Sequence, residues 1–131
     1  MNTILQPEGW AKPKGYSNGI AASGRQVFVA GQIGWNARSV FEACDFVGQF
    51  RQALENVVAV LAEAGAGPEH VTSMTWFITD KNAYLRDAKA VGQAWRDIMG
   101  RSYPAMAVVQ VVALMEDAAV IEIQAQAVVP N

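Results

Sequence analysis

The stretch that decides the fold is "PAMAVVQVVAL", residues 104–114, in which a proline precedes a run whose one strongly polar side chain is Gln110. Alternate residues of a strand point to opposite faces, so both faces of a strand built here are apolar. Helices can cover one face, but the other would be a large apolar patch in water, and such patches usually mark interfaces. We therefore expect a second copy of the chain to cover that face. A monomer with an exposed apolar sheet is the alternative.

The composition fits one domain that spans residues 1–131, with 52% hydrophobic and 17% charged residues. The net charge is −2 and no run of Lys or Arg occurs, which argues against a nucleic-acid partner. No apolar run reaches membrane-spanning length, and the first twenty residues lack the pattern of a signal peptide. The single cysteine, Cys44, allows no internal disulfide. We expect a soluble, cytoplasmic protein without a membrane partner.

Strand and helix patterns alternate along the chain. Alternating or β-branched stretches predict strands at residues 16–23, 25–34, 71–79, 105–114 and 120–129. Helical spacing predicts one helix that begins after Asp45, its expected N-cap, and a second that follows Asp80 and stops at Gly100. Residues 1–15 are expected to form an irregular lead-in. The order β-β-α-β-α-β-β is typical of an α+β sheet with two helices on one face.

The last predicted strand has one apolar and one polar face. Ile121 and Ile123 alternate with Glu122 and Gln124, so Glu122 emerges from a strand rather than from a solvated loop. An ordinary exposed polar face would give the same pattern, so the pattern alone leaves the role of Glu122 open.

The chain lacks the residues that several kinds of catalytic and binding site require. The single histidine, His70, cannot supply a metal site that needs two or three, so no metal is expected. Cys44 has no histidine near it in sequence, and an inert, half-buried thiol is the simpler interpretation. No phosphate-binding glycine motif occurs. Trp76 and Trp95 fit core positions, whereas Trp10 and Trp35 lie near loops and could wall a pocket.

Several segments together resemble the YjgF/RidA family, also described as enamine/imine deaminases or, in older usage, as L-PSP endoribonucleases. The segments are "YSNGI", "VFVAGQIG", "QALENVVAVLAEAGAGPEHV", "FITDKNAY" and "YPAMAVVQVVAL…IEIQAQAVV", between Tyr16 and Val129. The resemblance implies a chorismate-mutase-like fold and a homotrimer with a central barrel of sheets and helices outside. It also implies ligand clefts between subunits, where active members hydrolyse 2-imino acids to 2-keto acids and ammonia without a cofactor.

The same resemblance implies which residues form the cleft. Tyr16 would line it, the backbone amide of Gly31 would bind the substrate carboxylate, and Tyr84 would supply an aromatic wall from the neighbouring subunit. Glu122 would be the catalytic residue that positions and polarises the attacking water. A carboxylate suits this role because it favours a cationic iminium and can accept a proton from water.

One position departs from the family pattern. Where deaminating members have Pro-Ala-Arg, this chain has Pro104, Ala105 and Met106, and a cysteine frequent in the family is replaced by Val108. The missing guanidinium grips the substrate carboxylate in two charge-assisted bonds, and a thioether cannot replace it. We expect poor activity on 2-imino acids, and the sequence leaves open whether Arg25, Arg38 or Arg101 replaces the lost group.

Three functions remain open at this stage, and so does the question whether the chain is an enzyme. The first is hydrolysis of enamines or imines that need no arginine clamp, with Met106 and Val108 among the substrate-binding residues. The second is a non-catalytic trimer that binds a small molecule between subunits. The third, an endoribonuclease or translation inhibitor, is disfavoured because an acidic chain without a basic groove is a poor match for RNA.

Overall fold

The structure, a computed structural model, describes residues 2–131, and Met1 lies outside the described residues. The strands are β1 (Thr3–Leu5), β2 (Gly19–Ala21), β3 (Arg25–Ile33), β4 (Val71–Ile78), β5 (Ala105–Gln110) and β6 (Ile121–Val129). The helices are α1 (Phe46–Glu63), α2 (Lys81–Arg86) and α3 (Ala88–Met99), with a short 3-10 turn at Pro68–His70. The predicted α+β class is confirmed.

The main sheet has the strand order β3-β6-β4-β5. Strand β6 pairs antiparallel with both neighbours, whereas β4 and β5 are parallel. A parallel pair needs a long crossover, and α2 with α3 supplies it. Strands β1 and β2 form a separate antiparallel pair. This arrangement leaves β5 at one edge of the main sheet, beside the crossover helices.

The core lies between one face of the main sheet and the two longer helices. Asp45 caps α1 as predicted, with its carboxylate accepting a hydrogen bond from the Gly48 N–H at 3.1 Å. Apolar side chains of the helices and of the sheet are fully or almost fully buried there, among them Phe50, Leu54, Trp76, Trp95, Ile121 and Ile123. Each fully buried side chain of this size contributes about 1.5–3 kcal/mol. None of the helices in the described part of the chain is long and apolar enough to cross a membrane.

Two elements differ from the prediction near the amino terminus and in the crossover. The lead-in is not wholly irregular, because Thr3–Leu5 pairs with Gly19–Ala21, which is the part of the predicted strand 16–23 that forms a strand, whereas Ser17 makes an isolated bridge to Ala105. The second helix is interrupted at Asp87, which has a non-helical ψ of 18° and ends one helix while starting the next. Arg86 donates hydrogen bonds to the Asp87 carboxylate, and these bonds lower the pKa of Asp87.

Strand β5 ends at Gln110, earlier than the predicted limit of 114. The Val111 N–H still bonds the Ile78 carbonyl at 2.8 Å, but β4 ends at Ile78 and offers no partner beyond it. Val112 is therefore fully exposed in a loop. The prediction of two apolar faces holds for the shorter strand, since Met106 and Val108 face the helices while Ala105, Ala107 and Val109 lie on the other face.

We call this helix-free side of the main sheet the open face. Strand register places Phe77 and Val109 opposite each other on it, with Phe28 on the far strand, and Phe28 is 66% exposed. The polar residues of β6 that alternate with the buried isoleucines also lie on the open face. It therefore combines exposed apolar side chains with a row of polar ones from the central strand.

Candidate functional site

A cavity of about 520 Å³ lies between the crossover helices, strands β4 and β5, and the segment at residues 14–16. Pockets that bind small molecules commonly have this size. Four of the residues expected in the cleft line it, namely Tyr16, Tyr84, Met106 and Val108. We call it the α3 cavity, because Val91, Gly92, Trp95 and Arg96 of α3 form its helical wall.

Backbone contacts explain how residues distant in sequence meet at the α3 cavity. The Ser17 N–H donates to the Pro104 carbonyl at 3.0 Å, and the Ser17 hydroxyl donates to the Tyr103 carbonyl. These bonds tie Tyr16 to the start of β5. Parallel pairing then sets Val108 beside Trp76, on the side of the sheet that faces the helices.

The inner walls of the α3 cavity are aromatic. The Trp76 ring lies 5.9 Å from that of Trp95 and 6.0 Å from that of Tyr84, edge-on to the tyrosine. Tyr103 stacks on Trp95 at 6.1 Å. The Trp95 indole donates to the Ser102 carbonyl, whereas the buried Trp76 Nε1 meets no acceptor among the described residues. An unsatisfied buried donor costs about 1–3 kcal/mol, which the surrounding packing must offset.

Glu122 and Gly31 lie together on the open face, away from the α3 cavity of the same chain. Ile121 and Ile123 are fully buried on the helix side, and Glu122 therefore points the other way. Gly31 lies in the β-bulge between Val29 and Gln32, and any side chain there would overlap the Glu122 carboxylate. A bulge leaves one residue out of the ladder. Glycine at this position thus lets the backbone approach the carboxylate.

The six predicted site residues therefore form two groups within one chain. Tyr16, Tyr84, Met106 and Val108 share the α3 cavity of one chain. The Glu122 and Gly31 pair lies across the sheet from them. Met106 and Glu122 can thus share one cleft only if two chains contribute to it.

Several lining residues were missed or misassigned from the sequence. The tryptophans in the cavity wall are Trp76 and Trp95, whereas Trp10, expected near a pocket, is 63% exposed. Arg96 and Lys14 line the cavity, and the three arginines considered as replacements for the lost guanidinium do not. Helical spacing carried the signal for Arg96, which lies four residues after Gly92 and one after Trp95 on the same helix.

The other candidate chemical groups lie outside the α3 cavity. His70 accepts a hydrogen bond from the Gly67 N–H at 2.9 Å, and Cys44 is exposed rather than half-buried as expected. Within residues 2–131, no three His, Cys, Asp or Glu side chains gather closely enough to hold a metal ion.

Comparison with known proteins gives consistent matches over almost the whole chain. The family model described as Endoribonuclease L-PSP matches residues 10–129. A RutC family protein of Pyrococcus horikoshii is 33% identical over 127 residues, covering 95% of this chain and 96% of that protein.

Solved structures are also similar to the structure of this chain. The structure of YyfB from Yersinia pestis, a Rid family protein of unknown function, has a TM-score of 0.86 at 30% identity and covers 98% of both chains. TdcF of Escherichia coli, a protein named as a reactive intermediate deaminase, was solved with bound serine. It has a TM-score of 0.69 at 31% identity, covering 97% of this chain and 98% of TdcF.

Proposed function

Because the chain belongs to the YjgF/RidA family, described by its family model as Endoribonuclease L-PSP, we propose that it is an enamine/imine hydrolase that works as a homotrimer. The observation that carries the proposal is the Glu122 carboxylate. It is half-buried beside the bulge at Gly31, and within residues 2–131 it has no ion pair or side-chain hydrogen bond. Such a carboxylate is available to hold and polarise a water molecule.

The open face supports assembly with further copies of the chain. Its exposed apolar side chains include Phe28 at 66% and Val109 at 41% exposure, beside Ala107 on the edge strand. Burying about 1,000 Å² of apolar surface per subunit contributes on the order of 25 kcal/mol before the costs of association. Three sheets that pack their open faces around one axis would form the central barrel of the family.

A trimer also resolves the separation of the two groups of site residues. In a ring, each interface joins two different surfaces of neighbouring subunits. We place the α3 cavity of one subunit against the Glu122 and Gly31 pair of the next. The cleft then combines an aromatic, largely apolar wall from one chain with a carboxylate and a backbone amide from the other.

The proposed reaction follows from these groups. Glu122 holds a water against the iminium carbon and accepts its proton as the carbon–oxygen bond forms. Glu122 returns this proton to the carbinolamine nitrogen, the carbon–nitrogen bond breaks, and the hydroxyl proton passes through the Glu122 carboxylate to the departing ammonia. The iminium and water thus become a carbonyl compound and ammonium, with no change of oxidation state and no cofactor. The negative carboxylate also stabilises the cationic iminium before attack.

Met106 determines which substrates the cleft can bind tightly. Its thioether lines the α3 cavity at the position where deaminating relatives carry a carboxylate-binding arginine. Each charge-assisted bond to a carboxylate contributes about 1.5–3 kcal/mol, so losing two lowers affinity for 2-imino acids a hundredfold or more. The favoured substrates are enamines and imines that do not depend on a cation at residue 106.

Met106 also supports a second candidate function, in which the chain forms a non-catalytic trimer that binds a small molecule in the cleft. The residues that would hold water are retained, but the residue that anchors the family's substrate is not. A binding protein would need the cavity and not Glu122.

Hydrolysis by the Glu122→Gln variant separates the two functions. Imines without a carboxylate are generated in place by a flavin amine oxidase and 2-imino acids by an amino-acid oxidase, and their lifetime is read from the loss of the semicarbazone that they form with semicarbazide. The hydrolase proposal requires that wild-type protein lowers the semicarbazone signal and that Glu122→Gln, with the mass of the intact trimer, does not. Equal turnover by both proteins would remove Glu122 from the mechanism, and no turnover by wild type over a panel of imines would favour the binding protein.

A further inference from the structure

The α3 cavity carries two cationic side chains, Lys14 and Arg96, and no carboxylate among the residues that line it. We propose that it selects ligands in which an aromatic ring carries an anionic group, with the Arg96 guanidinium as the partner of the anion. This inference names the substrate class of the proposed hydrolase and so rests on the proposed function for its catalytic consequence. The binding preference itself rests only on the cavity.

The walls favour a ring over a flexible aliphatic chain. Trp76 and Trp95 lie 5.9 Å apart with their planes inclined by 37°, and Tyr84 stands edge-on to Trp76. Both indoles are almost fully buried, so a flat ring in the cavity lies against the edges that they present to it and can make offset or edge-to-face contacts there and with Tyr84. Met106 and Val108 supply the apolar floor, and a thioether also packs well against aromatic rings.

Arg96 has donors free for an anion. Its Nη2 donates to the Gln93 Oε1 at 3.1 Å, and no carboxylate in residues 2–131 lies within 4.0 Å of its guanidinium. A guanidinium carries five N–H donors in a planar fork that matches a carboxylate or phosphate. The one hydrogen bond to Gln93 leaves most of that fork unused.

The cation therefore stands on the helical wall of the cavity, whereas the family pattern places it on β5. Position 106 on the strand is apolar in this chain, and the exposed Arg96 side chain lines the cavity from α3. A ligand with its ring against the strand and its anion towards the helix suits this distribution. The anion of the preferred ligand is thus held at a different place from the carboxylate of a small 2-imino acid clamped at position 106.

Gly92 leaves the space that this orientation needs. It lies one turn before Arg96 on the cavity wall, and a Cβ added there would come within 3.4 Å of the Arg96 Nη1. Lys14 adds a second positive charge beside Tyr16.

Calorimetric titration of the trimeric protein tests the inference without turnover. The probes are phenylpyruvate, which has a ring and a carboxylate, 2-oxobutanoate, which has the carboxylate alone, and phenylacetone, which has the ring alone. The variants are Arg96→Gln and, as a matched loss of charge outside the cavity, Arg101→Gln. Tryptophan fluorescence gives a second readout, because the bound ring contacts Trp76 and Trp95.

Wild type is expected to bind phenylpyruvate at least tenfold more tightly than either other probe. Arg96→Gln should lose about 10- to 100-fold for phenylpyruvate and little for phenylacetone, as expected for one charge-assisted contact, whereas Arg101→Gln should match wild type. Equal affinity for the three probes, or an unchanged phenylpyruvate affinity in Arg96→Gln, would overturn the inference. If the protein hydrolyses imines but does not prefer phenylpyruvate over the other two probes, only the inference is contradicted. If it prefers phenylpyruvate but hydrolyses no imine, only the proposed function is contradicted.

Discussion

Gly92 lies inside α3, where glycine costs about 0.8–1 kcal/mol relative to alanine because it loses more backbone freedom on folding. Nothing in the backbone requires it, since Gly92 has no positive φ and an added Cβ meets only the flexible end of Arg96 at 3.4 Å. We attribute this glycine to the α3 cavity, which a side chain at residue 92 would narrow beside Arg96. Gly92→Ala should therefore stabilise the fold and weaken ligand binding.

The expected gain in stability is about 0.8 kcal/mol, or about 3 °C in Tm for a chain of this length. Urea unfolding at fixed protein concentration measures it, and titration with phenylpyruvate measures the loss of binding. Gly100→Ala is the matched control, because Gly100 ends α3 at a φ of 67° that alanine adopts only with strain. That variant should destabilise the protein. A destabilised Gly92→Ala, or one that binds phenylpyruvate as wild type does, would refute the reasoning.

Three further substitutions test other parts of the account. Met106→Arg puts a guanidinium into the α3 cavity and should raise hydrolysis of 2-iminobutanoate about a hundredfold in the semicarbazide assay; no gain would show that more than the clamp has diverged. Gln49→Leu should cost about 3 kcal/mol in urea unfolding, because the fully buried amide bonds the Ala118 carbonyl and the Val120 N–H at 2.8 and 2.9 Å; a loss below about 1 kcal/mol would contradict this role. Hydrogen bonds from Arg51, and to a smaller extent from Gln93, lower the pKa of Asp97 below its ordinary 3.8. Ionised Asp97 therefore stabilises the fold above pH 3.8, and this stabilisation is lost as the pH falls through the pKa of the folded state. The stability difference between wild type and Asp97→Asn should therefore shrink between pH 6 and pH 2, and a constant difference would refute the coupling.

The sequence predicted the features that depend only on residues close to one another in the chain, namely helix ends and the alternation of a strand. Asp45 and Asp80 cap their helices, Gly100 ends α3, and the alternation of β6 puts its isoleucines inside. The apolar character of both faces of residues 105–110 was also visible, because strand periodicity fixes which side chains share a face. These features need no knowledge of the partner strand.

Features that depend on pairing between distant segments were not predictable in the same way. Strand β1 exists because Thr3–Leu5 pairs with Gly19–Ala21, and β5 stops at Gln110 because β4 ends opposite it. Residues 111–114 are as apolar as those before them, so the sequence alone gave no reason to end the strand. The location of Arg96 on the cavity wall likewise depends on which face of α3 meets the sheet.

The separation of Glu122 from Met106 has the largest consequence for the site. The family resemblance implies that both residues line the same cleft, and β6 and β5 direct the two side chains to opposite faces of the same sheet. A cleft that contains both must be assembled from two chains. Quaternary structure is thus part of the proposed chemistry, not only of stability.

Mixing two inactive variants tests this composite site most directly. Glu122→Gln removes the carboxylate, and Gly92→Phe fills the α3 cavity from the helix surface without entering the core. If each cleft takes its cavity from one subunit and its carboxylate from the next, trimers co-refolded from equal amounts should regain about a quarter of the wild-type imine hydrolysis, because one random neighbour pairing in four restores both parts. Mixed trimers, verified by native mass spectrometry, that stay as inactive as their parents would contradict the shared cleft.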